Sequence, residues 1–183
     1  MKSASESASL MGAGVGSLLR LPAGSVMQIR RAVAREAGAL SKLALIAKAH
    51  WGYQRAQLQV WNSSLEITAE SISARPTFVA DLDGQVIGFY SLVPSLAAWE
   101  LDNLWVTPLF IRKGIGRALL MHAAQIAAER GATSILVDAD PNAETFYVSC
   151  GATRVGAVSA PIAGESGRVR PQLVMSITRS DTA

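Results

Sequence analysis

Apolar and polar residues follow no regular period over the first 25 positions and a regular one afterwards. The opening stretch is rich in Ser, Gly and Ala, and Glu6 and Arg20 interrupt its apolar part. It reads as a flexible tail over 1–25 and not as a secretion signal. From Val26 the segment VMQIRRA alternates and predicts a strand at 26–31. Val33, Ala37, Leu40, Leu43, Ile46 and Ala47 then recur at helical spacing and predict a helix over 33–50, broken by Gly52. A second helix is expected over 54–64, with Leu58, Trp61 and Leu65 on one side, and a short one between Thr68 and Pro76.

The period then changes to two. A strand through Phe78 to Ala80 ends at Asp83-Gly84, a dipeptide suited to a tight hairpin, and a partner strand follows over 86–93. AWELDNLWV at 98–106 forms the third run of the meander. Beyond Pro108 a Gly-rich turn leads into a helix over 115–130, closed by Gly131. The short apolar run 134–137 reads as a buried parallel strand. A short helix at 142–149 and strands at 153–158 and 171–178 complete the chain, around a Gly/Pro-rich loop at 161–168. This order predicts an α/β fold: one domain over 26–179, with a mixed sheet of six to seven strands flanked by helices on both faces.

Composition narrows the function classes. Half of the 183 residues are hydrophobic and 17% are charged, which excludes a disordered chain. No apolar run approaches the ~18 residues of a membrane span, so no membrane partner is expected. The single cysteine, Cys150, excludes an internal disulfide and fits a reducing cytoplasm; at the end of a helix it reads as a buried structural thiol. The net charge of +3 is modest and carried mostly by Arg, which suits a phosphate-bearing small ligand as well as nucleic acid.

Chemistry concentrates between Leu104 and Leu120, where a strand gives way to a loop carrying Arg112, Lys113, Gly114, Gly116 and Arg117, and then to a helix. Glycines let the backbone approach a ligand, while free amides and the dipole of a helix start attract negative charge. Three cations at one helix start localise the positive excess, which favours a nucleotide's phosphates over a broad nucleic-acid surface. Two familiar phosphate loops are excluded. Gly116 is followed by Arg-Ala and not by the Lys-Ser/Thr of a Walker loop, and position 119 is Leu where a dinucleotide fold needs Gly. The run Gly12-x-Gly14-x-Gly16 has no strand before it and reads as linker.

These residues resemble the GNAT superfamily of acyl-CoA-dependent N-acyltransferases. Gly114 and Gly116 match the glycines of its Q/R-x-x-G-x-G/A motif, and Val106 with Pro108 match the preceding V-x-P, while Ile111 departs from the Gln/Arg position. Asn142-Ala-Glu-Thr-Phe146-Tyr147, followed by Cys150-Gly-Ala, resembles the family's second motif on the helix after the fifth strand. The resemblance implies acetyl-CoA as co-substrate, with no metal. Its phosphates would meet Arg112, Lys113, Gly114, Ile115, Gly116 and Arg117, and its pantetheine would run along Leu104, Trp105 and Val106. Asn142 would face the pantetheine arm, Phe146 would pack beside it, and Tyr147 would hold the sulfur and protonate the leaving thiolate.

Acyl transfer also needs the amine to lose a proton. Glu100 and Asp102 share a strand face just before the phosphate loop, where the family often places a general base, and the longer Glu100 is preferred for reach. For the acceptor, His50, Trp51 and Tyr53 cluster where the first two helices join, with Trp61 and Trp99 as further wall. Arg168 and Arg170 are placed to bind a carboxylate or a phosphate, or to stand solvated. His122 has no evident partner. The expected activity is direct acetyl transfer to a primary amine of a small molecule or peptide, by a monomer or homodimer that binds no nucleic acid. A covalent route through Cys150 is the rival enzyme mechanism. A catalytically inactive acyl-CoA-binding regulatory module of the same fold is the alternative function.

Overall fold

The computed structural model describes residues 19–20, 25–96 and 98–177. Its strands are β1 (Leu19–Arg20), β2 (Val26–Arg31), β3 (Thr77–Leu82), β4 (Gln85–Val93), β5 (Ala98–Val106), β6 (Ser134–Asp138), β7 (Thr153–Ser159) and β8 (Val169–Ser176). The helices are α1 (Ala37–Ala49), α2 (Arg55–Trp61), α3 (Ala69–Ala74), α4 (Ile115–Glu129) and α5 (Glu144–Ser149). The strands form one sheet in the order β1-β2-β3-β4-β5-β6-β8-β7. Seven of them match the expected strands; the eighth, β1, pairs with β2 from inside the segment expected as tail. The rest of that segment, including the run Gly12 to Gly16, lies outside the described residues, as does the segment from 178 onwards.

Helices cover both faces of the sheet. On one, α1 turns Leu40, Leu43, Ala44 and Ala47 inward, and the first three pack with Ile72 of α3 against Val79 and Phe89. On the other, Ile115, Leu119, Leu120, Ala123 and Ala127 of α4 pack on Ile87, Tyr90 and Leu92 of β4 and on Ile135 of β6. β4 is thus buried on both sides, which explains its nearly continuous apolar run. Asp83 and Gly84 both take positive φ (50° and 87°), the mirror-image turn that the Asp-Gly pair favours.

One feature of the sheet creates the site. Every neighbouring pair is antiparallel except β5–β6, and that pair is joined only at Ala98–Ser134, Trp99–Ile135 and Glu100–Leu136. Beyond Glu100, β5 continues on β4 while β6 continues on β8, so the two strands splay apart. A bulge falls at the same place, because Leu92 pairs with Leu101 but Ser91 pairs with Asn103, leaving Asp102 as the extra residue.

Candidate active site

The splay opens into a cleft of about 1500 Å³ that runs from the start of α4 to the α1–α2 joint and the loop before β8. At the first end, Gly114 takes φ 83° as the residue before α4, and Arg112 takes φ 63°, a left-handed conformation unusual outside glycine. Alternation of this kind turns successive amides toward one point, as in anion-binding nests. The first amide of α4 to find a helical acceptor is that of Ala118, on the Gly114 carbonyl at 3.0 Å. The amides of the first turn before it therefore stay open for a ligand. A Cβ on Gly116 would sit 3.3 Å from the Phe146 ring, so the second glycine lets α5 close against α4.

The three cations of this loop do different things. Arg112 lines the cleft and makes no hydrogen bond or ion pair among the described residues. Arg117 also borders it, but donates to the Ser149 carbonyl at 2.6 Å and so ties α4 to the end of α5. Lys113 does not line the cleft: its ammonium lies 5.0 Å from the centre of the Phe110 ring. The Ile115 side chain is also withdrawn, fully buried in the core, because the helix turns that position toward the sheet; only its amide stays at the helix start.

Along the open edge of β5, Leu104, Trp105 and Val106 all line the cleft. The Thr107 amide donates to the Ile87 carbonyl at 2.8 Å, so alternation sends the Trp105 amide toward β4 as well. The amides that face the gap are those of Leu104 and Val106.

The two carboxylates separate. Glu100 does not line the cleft; it pairs with Val93 on one side and Leu136 on the other, inside the part of β5 that is still fully laddered. Asp102, pushed out by the bulge, does line it. Its Oδ2 accepts from Arg75 at 2.7 Å, Asn103 at 2.9 Å and Ser91 at 3.2 Å. Asp102 also borders a second, polar pocket of about 140 Å³ with Arg75, Ser91 and Asn103.

From α5 and the turn before it, Asn142, Phe146 and Tyr147 all line the cleft. Tyr147 is 7% exposed, burial raises its phenol well above the ordinary tyrosine value, and its hydroxyl has no hydrogen-bond partner among the described residues. It is therefore neutral, with a proton to give. Cys150, expected to be buried, is half-buried and borders the cleft at the end of α5.

At the far end, His50 and Trp51 line the cleft, their rings 5.7 Å apart. Tyr53 lies behind that wall and joins a network centred on Asp140. The Asp140 carboxylate accepts from Lys48, from the Tyr53 hydroxyl at 2.8 Å, from the Asn142 amide at 2.9 Å and from Arg168 at 3.4 Å. Asn142 Nδ2 donates to Asp140 at 3.0 Å and to the Tyr53 hydroxyl at 3.2 Å, so its side chain braces the wall before it meets any ligand. The cations holding Asp140 outweigh its burial and keep its carboxyl below the ordinary value, whereas burial lowers Lys48 despite its anionic partner. Lys48 and Asp140 were not singled out from the sequence. Asp140 had a visible signal, since Asp-Pro-Asn is a cap followed by Pro at the first helical position; Lys48 had none.

Among the described residues no helix is long and apolar enough to cross a membrane, and no three His, Cys, Asp or Glu side chains gather as a metal site. A family model described as acetyltransferase (GNAT) family matches residues 40–152. The chain belongs to that family. Among solved structures, a GCN5-related N-acetyltransferase of Rhodopseudomonas palustris shares the fold with a TM-score of 0.68 and 22% identity, over 90% of this chain and 99% of that one. A PaiA N-acetyltransferase of Thermoplasma acidophilum, solved with coenzyme A, gives 0.66 and 18% over 82% and 98%. A curated relative, streptothricin acetyltransferase of Streptomyces lavendulae, is 44% identical over 61 residues. That match spans 31% of this GNAT chain and 31% of the relative's length.

Proposed function

We propose that the protein transfers an acetyl group directly from acetyl-CoA to a primary amine of a small molecule or peptide, using one domain built on the single sheet. The observation that carries this reading is the alignment of three features along one cleft: the open amides of α4, the unpaired edge of β5 and the unpartnered hydroxyl of Tyr147.

The residues present suit the donor. The amides of Gly114, Ile115, Gly116 and Arg117, with Arg112, hold the pyrophosphate, and the amides of Leu104 and Val106 hold the pantetheine arm and the acyl carbonyl. Acetyl-CoA, when bound, supplies an activated thioester. Tyr147 gives its proton to the departing sulfur, which a neutral buried phenol can do and an ionised one cannot. Asp102 replaces Glu100 as the proton acceptor, since it reaches the cleft and backs onto a polar pocket large enough for a few waters, a route for the proton to solvent. Cys150 has no His or carboxylate bonded to it among the described residues, which favours direct transfer over an acyl-cysteine route.

The test is thiol release from acetyl-CoA over a panel of amines. Tyr147→Phe lowers kcat about 100-fold while leaving the KM for acetyl-CoA within about threefold. Binding of acetyl-CoA without thiol release from any amine would instead select the regulatory module. Streptothricin belongs in the panel as a second acceptor reading, favoured by the short stretch shared with the Streptomyces enzyme.

A further inference from the structure

The far end of the cleft holds more cationic donors than the chain itself uses. Lys48 and Arg168 share one carboxylate, Asp140, while the neighbouring Arg170–Asp138 pair is balanced at 2.9 Å. The Arg168 side chain is only 4% exposed, yet its guanidinium is poorly satisfied. Nη1 donates to the Ala160 carbonyl at 3.1 Å, and Nη2 makes only long contacts, to the Tyr53 hydroxyl at 3.3 Å and Asp140 at 3.4 Å. Nε is buried with no hydrogen-bond partner among the described residues. A buried donor left unmade is costly, and a buried cation without its own anion more so.

The cluster is also held in place before any ligand arrives. The Lys48 ammonium lies 4.5 Å from the centre of the Trp61 ring, and the Arg168 guanidinium 5.4 Å from the same centre and 5.5 Å from that of Tyr53. Those two rings meet edge to face at 4.9 Å. Lys48, Trp61 and Arg168 all line the cleft, so the surplus charge faces the space left for the acceptor. Asn142 links the cluster to the turn that leads directly into α5, which carries Tyr147.

We infer that Lys48 and Arg168 form a subsite for a carboxylate borne by the acceptor near its amine, which makes the acceptor an amino acid or a molecule that ends in one. A planar guanidinium whose Nε lacks an acceptor and whose Nη2 makes only long contacts matches a carboxylate, and the same surplus charge repels a second ammonium. The inference names the acceptor class for the proposed acetyl transfer and rests on that reading.

Product binding tests it without requiring turnover. With the protein held in excess CoA, calorimetry measures a panel of N-acetyl amino acids, each paired with its carboxamide. At least one acid binds tenfold or more tightly than its amide, and Arg168→Gln reduces that preference below twofold, whereas Arg168→Lys keeps part of it. Equal binding of acid and amide across the panel, or no binding of any acid, overturns the inference, as does an Arg168→Gln protein that keeps the full preference. If Arg168→Gln fails to fold, the wild-type acid-to-amide ratio and Arg168→Lys decide. Thiol release is scored separately. Transfer to amines that carry no carboxylate, at equal efficiency, overturns the subsite and leaves acetyl transfer standing; acid-selective product binding without thiol release from any amine does the reverse.

Discussion

Replacing Asp140 by Ala probes the network that joins the α1–α2 joint, β6 and the loop before β8. Asp140 is 8% exposed, and the side chains of Lys48 and Arg168 that share its carboxylate are 11% and 4% exposed. Removing one partner from a buried ion pair costs about 3–5 kcal/mol, because the remaining charge stays desolvated and unpaired. The Tyr53 hydroxyl and the Asn142 amide lose their acceptor as well, but these losses overlap with the first, so we take about 4 kcal/mol in all. For a chain of this size, with ~2–4 °C lost per kcal/mol, the melting temperature falls by about 8–16 °C. The assay is a thermal melt beside a urea titration, with the midpoint shifting and the slope unchanged. Adding Lys48→Met to Asp140→Ala recovers part of the loss, since one stranded cation is removed with its desolvation. A melt of Asp140→Ala within about 3 °C of wild type would refute the reasoning, and so would a second substitution whose cost simply adds.

Other predictions bear on the two ends of the cleft and on the core. Asp102→Asn lowers turnover about 10-fold or more, whereas Glu100→Gln leaves it within twofold; steady-state thiol release distinguishes them, and the opposite ranking would return the base to Glu100. Gly114→Val forces a β-branched residue to φ 83°, costs about 1–2 kcal/mol and raises the Kd for CoA, measured by calorimetry, because the amides of the α4 start move. His122 is 9% exposed, and its Nδ1 meets the Tyr90 hydroxyl at 2.8 Å. Burial holds its folded-state pKa below the ordinary value, against a weaker opposite pull from Glu129. The unfolded chain therefore takes up the proton first, so this contribution is complete above about pH 6.5 and declines as pH falls below it, by at most ~1.4 kcal/mol per pH unit. Thermal melts from pH 7.5 to 5 register this as an acid-side loss that shrinks in His122→Gln; an equally steep loss in that variant would assign it to other groups.

Elements and local motifs were legible because their causes are local. The period of apolar residues set α1, β5 and α4 to within a few positions, and Asp83-Gly84 set its turn because few dipeptides tolerate two positive φ angles. Gly114 marked the ligand-facing helix start for the same reason, and Gly116 did so because only a residue without a side chain leaves room for the Phe146 ring. Choices that depend on neighbours distant in sequence were not legible. Strict alternation placed Glu100 and Asp102 on one face, but the bulge opposite Ser91 and the end of the β5–β6 ladder leave one inside the paired sheet and put the other in the cleft. Lys113 and Ile115 stand in the phosphate motif, and only the packing of the loop and of α4 shows one turned onto Phe110 and the other into the core.

The sequence by itself determined the sheet-and-helix order, the anion-binding turn and the Phe146-Tyr147 pair, because each follows from the spacing of neighbouring residues. Tertiary structure alone decided which charges meet. Tyr53 reaches Asp140 across 87 positions of chain and Arg168 reaches Tyr53 across 115. Only the fold brings such groups together and excludes the water that would otherwise satisfy them. What looked in one dimension like isolated polar residues became a preformed wall with one guanidinium donor to spare.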